Sequence, residues 1–287
     1  MEFYSPLRYP GGKGKLADFM KLVFRENLLC DGYYVEPYAG GASVGIALLL
    51  NEYATKIIIN DLDRSIYAFW YSVVHKTDAL CNLIEKAKLD MPTWQKQREV
   101  QRKKLDCSLL ELGFSTFYLN RTNRSGIING GVIGGLNQTG LWKIDARFNK
   151  PALIDRIRRI ASYKNRIQVY NLDACELLQK VSSSMPERTL FYLDPPYYKK
   201  GQALYVNHYK VQDHAVVAKR VRGFKKHRWI VSYDYTPEIT QLYDGLRQKR
   251  YSINYSAAKA GKGEEVMIFS DNLYIPSVRN PLKVIKN

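Results

Sequence analysis

The stretch between residues 33 and 61 constrains the fold of this chain more than any other. A short apolar segment, Tyr33-Tyr34-Val35, runs into Glu36-Pro-Tyr-Ala-Gly-Gly-Ala-Ser43. Apolar residues from Ser43 to Asn51 predict a helix, Lys56-Ile-Ile-Ile59 predicts a buried strand, and that strand ends at Asn60-Asp61. Strand, glycine loop, helix, strand and acid is the order of a nucleotide-binding βαβ unit. Glycines after a strand let backbone approach a ligand closely, and the helix behind them offers free N–H groups. The spacing around Gly40-Gly41 does not meet the G-x-G-x-x-G fingerprint. At the end of the second strand, a carboxylate such as Asp61 can accept both hydroxyl protons of a ribose. Asn60-Asp61 can also cap a helix, and the residue types alone leave both readings open.

The α/β pattern continues elsewhere. Leu16, Phe19, Met20 and Val23 mark an amphipathic helix after the glycine-rich run Tyr9-Pro-Gly-Gly-Lys13. Strands are predicted at Arg166–Tyr170, Thr189–Leu193, Trp229–Tyr233 and Val266–Ser270, with a helix from Ala174 to Val181. The middle of the chain differs. Residues 77–110 read as helices with a basic run from Lys96 to Lys104, and a basic helix follows from Pro151 to Lys164. Phe114 to Gly140 is crowded with Asn, Thr, Arg and Gly and is expected to be a surface hairpin or loop. The expected fold class is therefore α/β: a Rossmann-like sheet built from residues 1–75 and 165–287, interrupted at 76–164 by a mainly helical insertion.

Lys and Arg number 44 against 27 Asp and Glu, a net charge of +17 over 287 residues. Such an excess points to a polyanionic partner whose phosphates release counterions on binding, although solubility alone also explains a basic chain. No apolar stretch is long enough to span a bilayer, and the charged, Pro- and Gly-bearing start is no signal peptide, so a cytoplasmic location without membrane association is expected. The four cysteines have no zinc or redox spacing, and the four histidines share no motif, so neither a metal site nor a nucleophilic triad is expected.

Asp194-Pro-Pro-Tyr197 closes a predicted strand. Two successive prolines fix the backbone and remove two N–H donors, leaving carbonyls free to accept from a ligand. The Asp194 carboxylate and the Pro195 carbonyl form an acceptor pair that can hold an exocyclic amino group by both hydrogens. That arrangement draws the nitrogen towards tetrahedral geometry and frees its lone pair for attack on a methyl group. Tyr197 offers a flat face for an extruded base. A rigid strand-end turn with an aromatic plug is the alternative reading of the same four residues.

Tyr9-Pro-Gly-Gly-Lys13, Glu36-Pro-Tyr-Ala-Gly-Gly-Ala-Ser-Val44, Asn60-Asp61 and Asp194-Pro-Pro-Tyr197 stand in that order in one chain. Together they resemble the Dam-like class of S-adenosylmethionine-dependent adenine-N6 DNA methyltransferases, and Phe117-Tyr-Leu-Asn-Arg-Thr122 resembles that family's recognition segment. The resemblance implies that Tyr9, Lys13, Glu36, Gly40, Asp61, Asp173 and Asp194 line the S-adenosylmethionine site. Tyr9 stands where many members carry Trp or Phe. It implies that Asp194, Pro195, Pro196 and Tyr197 form the catalytic motif, and that the insertion recognises double-stranded DNA with no obligatory protein partner evident. Within the insertion, Asn120, Arg121, Asn123 and Arg124 are the expected DNA contacts, since Arg and Asn are the usual bidentate readers of G and A. Lys199, Lys200 and Tyr205 are expected to close over an extruded nucleotide. The segment Asn123–Gly135 departs from the hairpin of GATC-specific members, which leaves the target sequence open. Methylation of cytosine N4 or of RNA, and a catalytically inactive DNA-binding relative, are the competing readings; the biological role stays open between restriction–modification, phage protection and regulation.

Overall fold

The structure is a computed structural model; it describes residues 4–8, 13–198, 209–255 and 261–284. The chain divides into two compact units. One contains Lys13–Leu62 and Tyr170–Asn287, the other Met1–Gly12 and Asp63–Val169.

The first unit carries the sheet. Its early elements are α1 (Ala17–Glu26), β1 (Gly32–Glu36), α2 (Ser43–Leu50) and β2 (Ala54–Asn60). The other unit contributes α3 (Arg64–His75), α4 (Thr77–Lys86), α5 (Met91–Arg102), α6 (Leu109–Thr122) and α7 (Lys150–Ala161). The chain returns through β3 (Ile167–Tyr170) to α8 (Ala174–Ser182), β4 (Thr189–Leu193), α9 (Val211–Arg222), β5 (Arg228–Asp234), α10 (Pro237–Leu242), β6 (Arg247–Tyr255) and β7 (Gly261–Phe269).

The seven strands lie in the order β3-β2-β1-β4-β5-β7-β6. β1 pairs in parallel with β2 on one side and with β4 on the other, and β4 pairs in parallel with β5. β7 then inserts antiparallel between β5 and β6. The chain winds outwards from β1 in one direction and resumes at β4 in the other. The switch point of this Rossmann-like sheet therefore falls between the carboxyl ends of β1 and β4, where open α/β sheets bind their ligands.

Strand alternation sorts the side chains. Val35, Phe191, Leu193, Val231, Tyr233, Val266 and Ile268 face one way and pack against Leu177, Leu178 and Val181 of α8, Val217 and Val221 of α9 and Ile239 of α10. The opposite face carries Tyr34, Glu36, Tyr192, Ser232 and Glu265, all buried. A polar file on a covered sheet face must satisfy its own hydrogen bonds, and that requirement builds the site described below.

The helical unit rests on close packing of α3 on α6. A Cβ on Gly113 would lie 2.5 Å from the Ala68 carbonyl oxygen and 2.5 Å from Ser72 Oγ, so only glycine permits the approach. Asp63 caps α3 by accepting from Ser65 N at 3.0 Å. Asp61 is therefore not the helix cap that the sequence left open.

One expectation is corrected. Residues 114–122 are not a loop: they form the carboxyl half of α6, with Phe117, Tyr118 and Leu119 fully buried. The compact division also differs from the expected boundaries, because α3 packs within the helical unit and residues 4–8 bond to it through Arg8 and Asn120. The predicted α2, β1, β2, β3, β4, β5 and β7 are present within a few residues of the expected positions.

Candidate active site

The carboxyl ends of β1, β2 and β3 are tied together by one side chain. Asn60 Nδ2 donates to the carbonyls of Pro37 (2.9 Å) and Leu172 (3.0 Å), while its Oδ1 accepts from Leu172 N at 2.9 Å. This fixes the loops that carry Gly40, Asp61 and Asp173. Gly40 has φ +46°, a left-handed conformation that costs glycine little, and its N–H donates to Asp61 Oδ2 at 2.9 Å. Asp173 caps α8, accepting from Cys175 N at 2.8 Å. Three of the expected cofactor residues thus ring the ends of adjacent strands.

Glu36 closes β1 and is 4% exposed. Its Oε2 has no hydrogen-bond partner among the described residues. Burial, and then the neighbouring Asp194, hold its carboxyl well above the usual carboxylate range, with the Gly45 amide pulling the other way. The parallel pairing of β1 with β4 places the glycine-loop strand and the Pro-Pro turn side by side.

Asp194 follows β4 directly. Ser232 of β5 donates to its Oδ1 at 2.7 Å, and Tyr192 OH shares a hydrogen bond with Ser232 Oγ at 2.8 Å. Lys13 Nζ stands 3.4 Å from the same Oδ1. Both partners therefore fall on one oxygen, and no described residue bonds Oδ2. Nor does any described residue donate to the Pro195 carbonyl. Burial raises the Asp194 carboxyl to about 6, Lys13 opposes the rise and Glu265 adds to it.

Lys13 is itself buried. Its ammonium lies 2.7 Å from Glu265 Oε1 and 3.2 Å from Tyr197 OH. Burial alone would lower its pKa, but Asp194 and Glu265 outweigh that and hold it well above the ordinary lysine value. Glu265 is fully buried and uses both oxygens: Oε1 accepts from Tyr197 OH at 2.6 Å as well as from Lys13, and Oε2 accepts from Tyr251 OH. The expected cofactor residue Lys13 and the catalytic residues Asp194 and Tyr197 are thus joined through a carboxylate that sequence reasoning did not single out.

Glu265, Ser232 and Tyr251 are the site residues missed. One signal was present: Glu265 sits in a strand whose later residues, Val-Met-Ile-Phe269, read as buried on both faces, and an acid inside such a run needs a partner. Tyr9, Lys199, Lys200 and Tyr205 lie outside the described residues.

The four expected DNA contacts separate in the helical unit. Asn120 is 1% exposed; its Oδ1 accepts from Arg8 N (2.8 Å), and its Nδ2 donates to the carbonyls of Arg8 (2.7 Å) and Gly126 (2.8 Å). Asn123 is equally buried, accepting from Trp94 Nε1 at 2.7 Å and donating to the Ile127 and Ile128 carbonyls at 2.9 and 2.8 Å. Both amides are engaged in holding the turn after α6. Arg124 is exposed. Arg121 donates to the Arg147 carbonyl at 2.7 Å, and burial together with the guanidiniums of Arg8, Arg156 and Arg147 lowers its pKa to about 10.

A curated relative, the type II methyltransferase M.MjaIII of Methanocaldococcus jannaschii, is 21% identical over 216 residues, covering 69% of this chain and 70% of the relative. Among solved structures, the rRNA methyltransferase aviRa from Streptomyces viridochromogenes aligns with a TM-score of 0.38 and 11% identity over 86% of this chain and 81% of that one. Among the described residues no helix is long and apolar enough to cross a membrane. The model of the D12 class N6 adenine-specific DNA methyltransferases matches residues 9–258, and the chain belongs to that family.

Proposed function

We propose that S-adenosylmethionine is the methyl donor, that it binds across the ends of β1, β2 and β3, and that Asp194 and Pro195 hold the adenine amino group. The observation that carries this reading is the placing of Ser232 and Lys13 on Asp194 Oδ1, which leaves Oδ2 and the Pro195 carbonyl as acceptors at the switch point.

The donor site fits the cofactor. Glu36 Oε2 is a buried polar atom without a partner among the described residues, and a ligand bearing an ammonium group would supply the donor that it lacks. Asp61 and Asp173 would take the ribose and adenine ends, and the left-handed Gly40 lets backbone approach. When bound, S-adenosylmethionine supplies a methyl group on a sulfonium for in-line displacement.

The protein's own part is alignment and charge. Asp194 Oδ2 and the Pro195 carbonyl accept the two N6 hydrogens and turn the lone pair towards the donor. The proton lost as N6 becomes a secondary amine leaves along the hydrogen bond to Asp194. Tyr197, held through its hydroxyl by Glu265 and Lys13, sets the plane against which the base stacks. Lys13 and Glu265 act as positioning residues for this pair. In the helical unit, Arg121 among three other guanidiniums offers a phosphate of duplex DNA a site that relieves their mutual repulsion.

Calorimetry with S-adenosylmethionine on the wild type, Glu36→Gln and Asp61→Ala tests the donor site. Each variant should bind at least tenfold more weakly while Asp194→Asn binds within a few-fold of wild type; wild-type affinity in both of the first two would remove the donor from this site.

A further inference from the structure

Glu36 is a buried acid with little around it to balance a negative charge. Its Oε2 has no hydrogen-bond partner among the described residues, and neither has the hydroxyl of Tyr34, two residues back on the same face of β1. Both side chains pack against α2: a Cβ on Gly45 would lie 3.1 Å from Glu36 Oε2 and 3.2 Å from the Tyr34 ring. That helix offers the carboxyl the Gly45 amide and no charged side chain, since Ser43–Leu50 reads Ser-Val-Gly-Ile-Ala-Leu-Leu-Leu.

The groups that face Glu36 from the other elements are acids and tyrosines. The β1–β4 register sets Tyr34 opposite Leu190 and Val35 opposite Phe191, so the next pair brings Glu36 level with Tyr192 and two residues short of Asp194. After burial, Asp194 and then Asp61, which follows β2, raise the Glu36 carboxyl. Tyr34 stays a neutral hydroxyl, held so by burial and by Glu36 itself, and Tyr192 shares its hydrogen bond with Ser232. Lys13 is the cation of this region, but it stands 2.7 Å from Glu265 and 3.4 Å from Asp194, whose two carboxyls already exceed its charge. A buried carboxyl without a counter-charge neutralises itself by keeping its proton. Asp194, with Ser232 and Lys13 on Oδ1, ionises first, and its charge then holds the proton on Glu36.

We propose that Glu36 carries a proton in the free enzyme and loses it to solvent when the ammonium group of S-adenosylmethionine binds, so that donor binding is coupled to the release of one proton. The O–H bond of the carboxyl is the only one broken: the neutral acid becomes the carboxylate partner of the ammonium, and the proton passes to buffer. Before the donor arrives, the proton stands in for the ligand's cation and spares the β1–β4 junction two adjacent negative charges. The sign of the coupling follows. A group whose pKa falls on binding makes binding stronger as pH rises, up to the pKa of the free enzyme. Loss of the ligand's own ammonium proton at higher pH acts in the opposite direction.

The inference rests on the donor site proposed above, and its test separates the two. Calorimetric titration with S-adenosylmethionine at about pH 7, in buffers of different ionisation enthalpy, counts the protons released. The wild type should release about one per donor, to which Asp194, mostly ionised at that pH, adds little. S-adenosylhomocysteine, which keeps the ammonium and lacks the sulfonium, should release as many. In Asp194→Asn the charge that keeps the proton on Glu36 is gone, so clearly fewer should be released. Glu36→Gln mimics the neutral acid, so it should melt near the wild-type temperature and release about none. A second measurement needs no ligand: at the same pH the infrared spectrum of the wild type should carry a protonated-carboxyl band that Glu36→Gln lacks. Donor binding without proton release, an unchanged count in Asp194→Asn, release that persists in Glu36→Gln, or the same infrared band in both proteins would overturn the inference. A wild type that binds no donor would instead overturn the donor site itself.

Discussion

Replacing Lys13 by methionine removes the cation that sits between Asp194 and Glu265, and the consequence for catalysis has a definite sign. Asp194 must be ionised for Oδ2 to accept an amino hydrogen and then the departing proton, so kcat/KM falls as pH drops through its pKa, which in the free enzyme lies at about 6. Lys13 Nζ is 3.4 Å from Asp194 Oδ1. At that separation and an effective dielectric of about 20, the attraction is about 5 kcal/mol. If relaxation and entering water leave only a third of it, the loss is still about one pKa unit. The acid limb of the kcat/KM profile for the methyl donor, followed by label transfer to DNA, should therefore move up by at least about one unit in Lys13→Met. Glu265→Gln should move it the other way, because Glu265 raises the Asp194 carboxyl. Lys13→Arg, which keeps the charge, should leave the limb near its wild-type position. A limb unmoved in both Lys13→Met and Glu265→Gln, or moved in the same direction in both, would refute the electrostatic reasoning even if both variants were slow.

Further outcomes follow from single contacts. Ser232→Ala removes the donor 2.7 Å from Asp194 Oδ1 and should also raise the acid limb, by less than Lys13→Met, with a loss of about 1–3 kcal/mol of stability because the buried Tyr192 hydroxyl loses its partner. Asn120→Ala leaves the Arg8 amide and carbonyl and the Gly126 carbonyl without partners, so unfolding by denaturant should show a loss of about 2–4 kcal/mol with no change in the methylated sequence. Gly113→Ala forces a Cβ to within 2.5 Å of α3 backbone and should lower the melting temperature by several degrees or more. Binding to duplex DNA, measured by fluorescence anisotropy, should weaken steeply between low and moderate salt; a flat response would contradict a phosphate-dominated interface.

The sheet was legible because its central strands are buried on both faces and read as continuous apolar runs, Ile57-Ile58-Ile59 and Leu190–Leu193 being the clearest. β6 was not, since Arg247–Tyr255 is an edge strand with polar residues such as Arg250 and Ser252 facing water. The carboxyl half of α6 was misread as loop because it is rich in Ser, Thr and Asn. Thr116 and Thr122 donate back to the carbonyls of Leu112 and Tyr118, both at 2.8 Å, so hydroxyls that look solvent-seeking are satisfied inside a buried helix. The turn-holding bonds of Asn120 and Asn123 were illegible for a similar reason: a side chain suited to reading a base edge is equally suited to reading a turn's carbonyls. At the catalytic centre, motif residues announced themselves by order and spacing. Glu265 and Ser232 reach Asp194 and Lys13 only through strand pairing, which local sequence does not display.

The central claim is that an ionised Asp194, with one oxygen occupied by Ser232 and Lys13, presents the other to the adenine amino group. Nucleoside analysis of duplex DNA after incubation with methyl-labelled S-adenosylmethionine tests it most directly, comparing wild type with an Asp194→Asn protein shown by calorimetry to bind the donor. Label in N6-methyladenine from the wild type and none above background from the variant is the predicted result. Transfer by Asp194→Asn at the wild-type rate would contradict it.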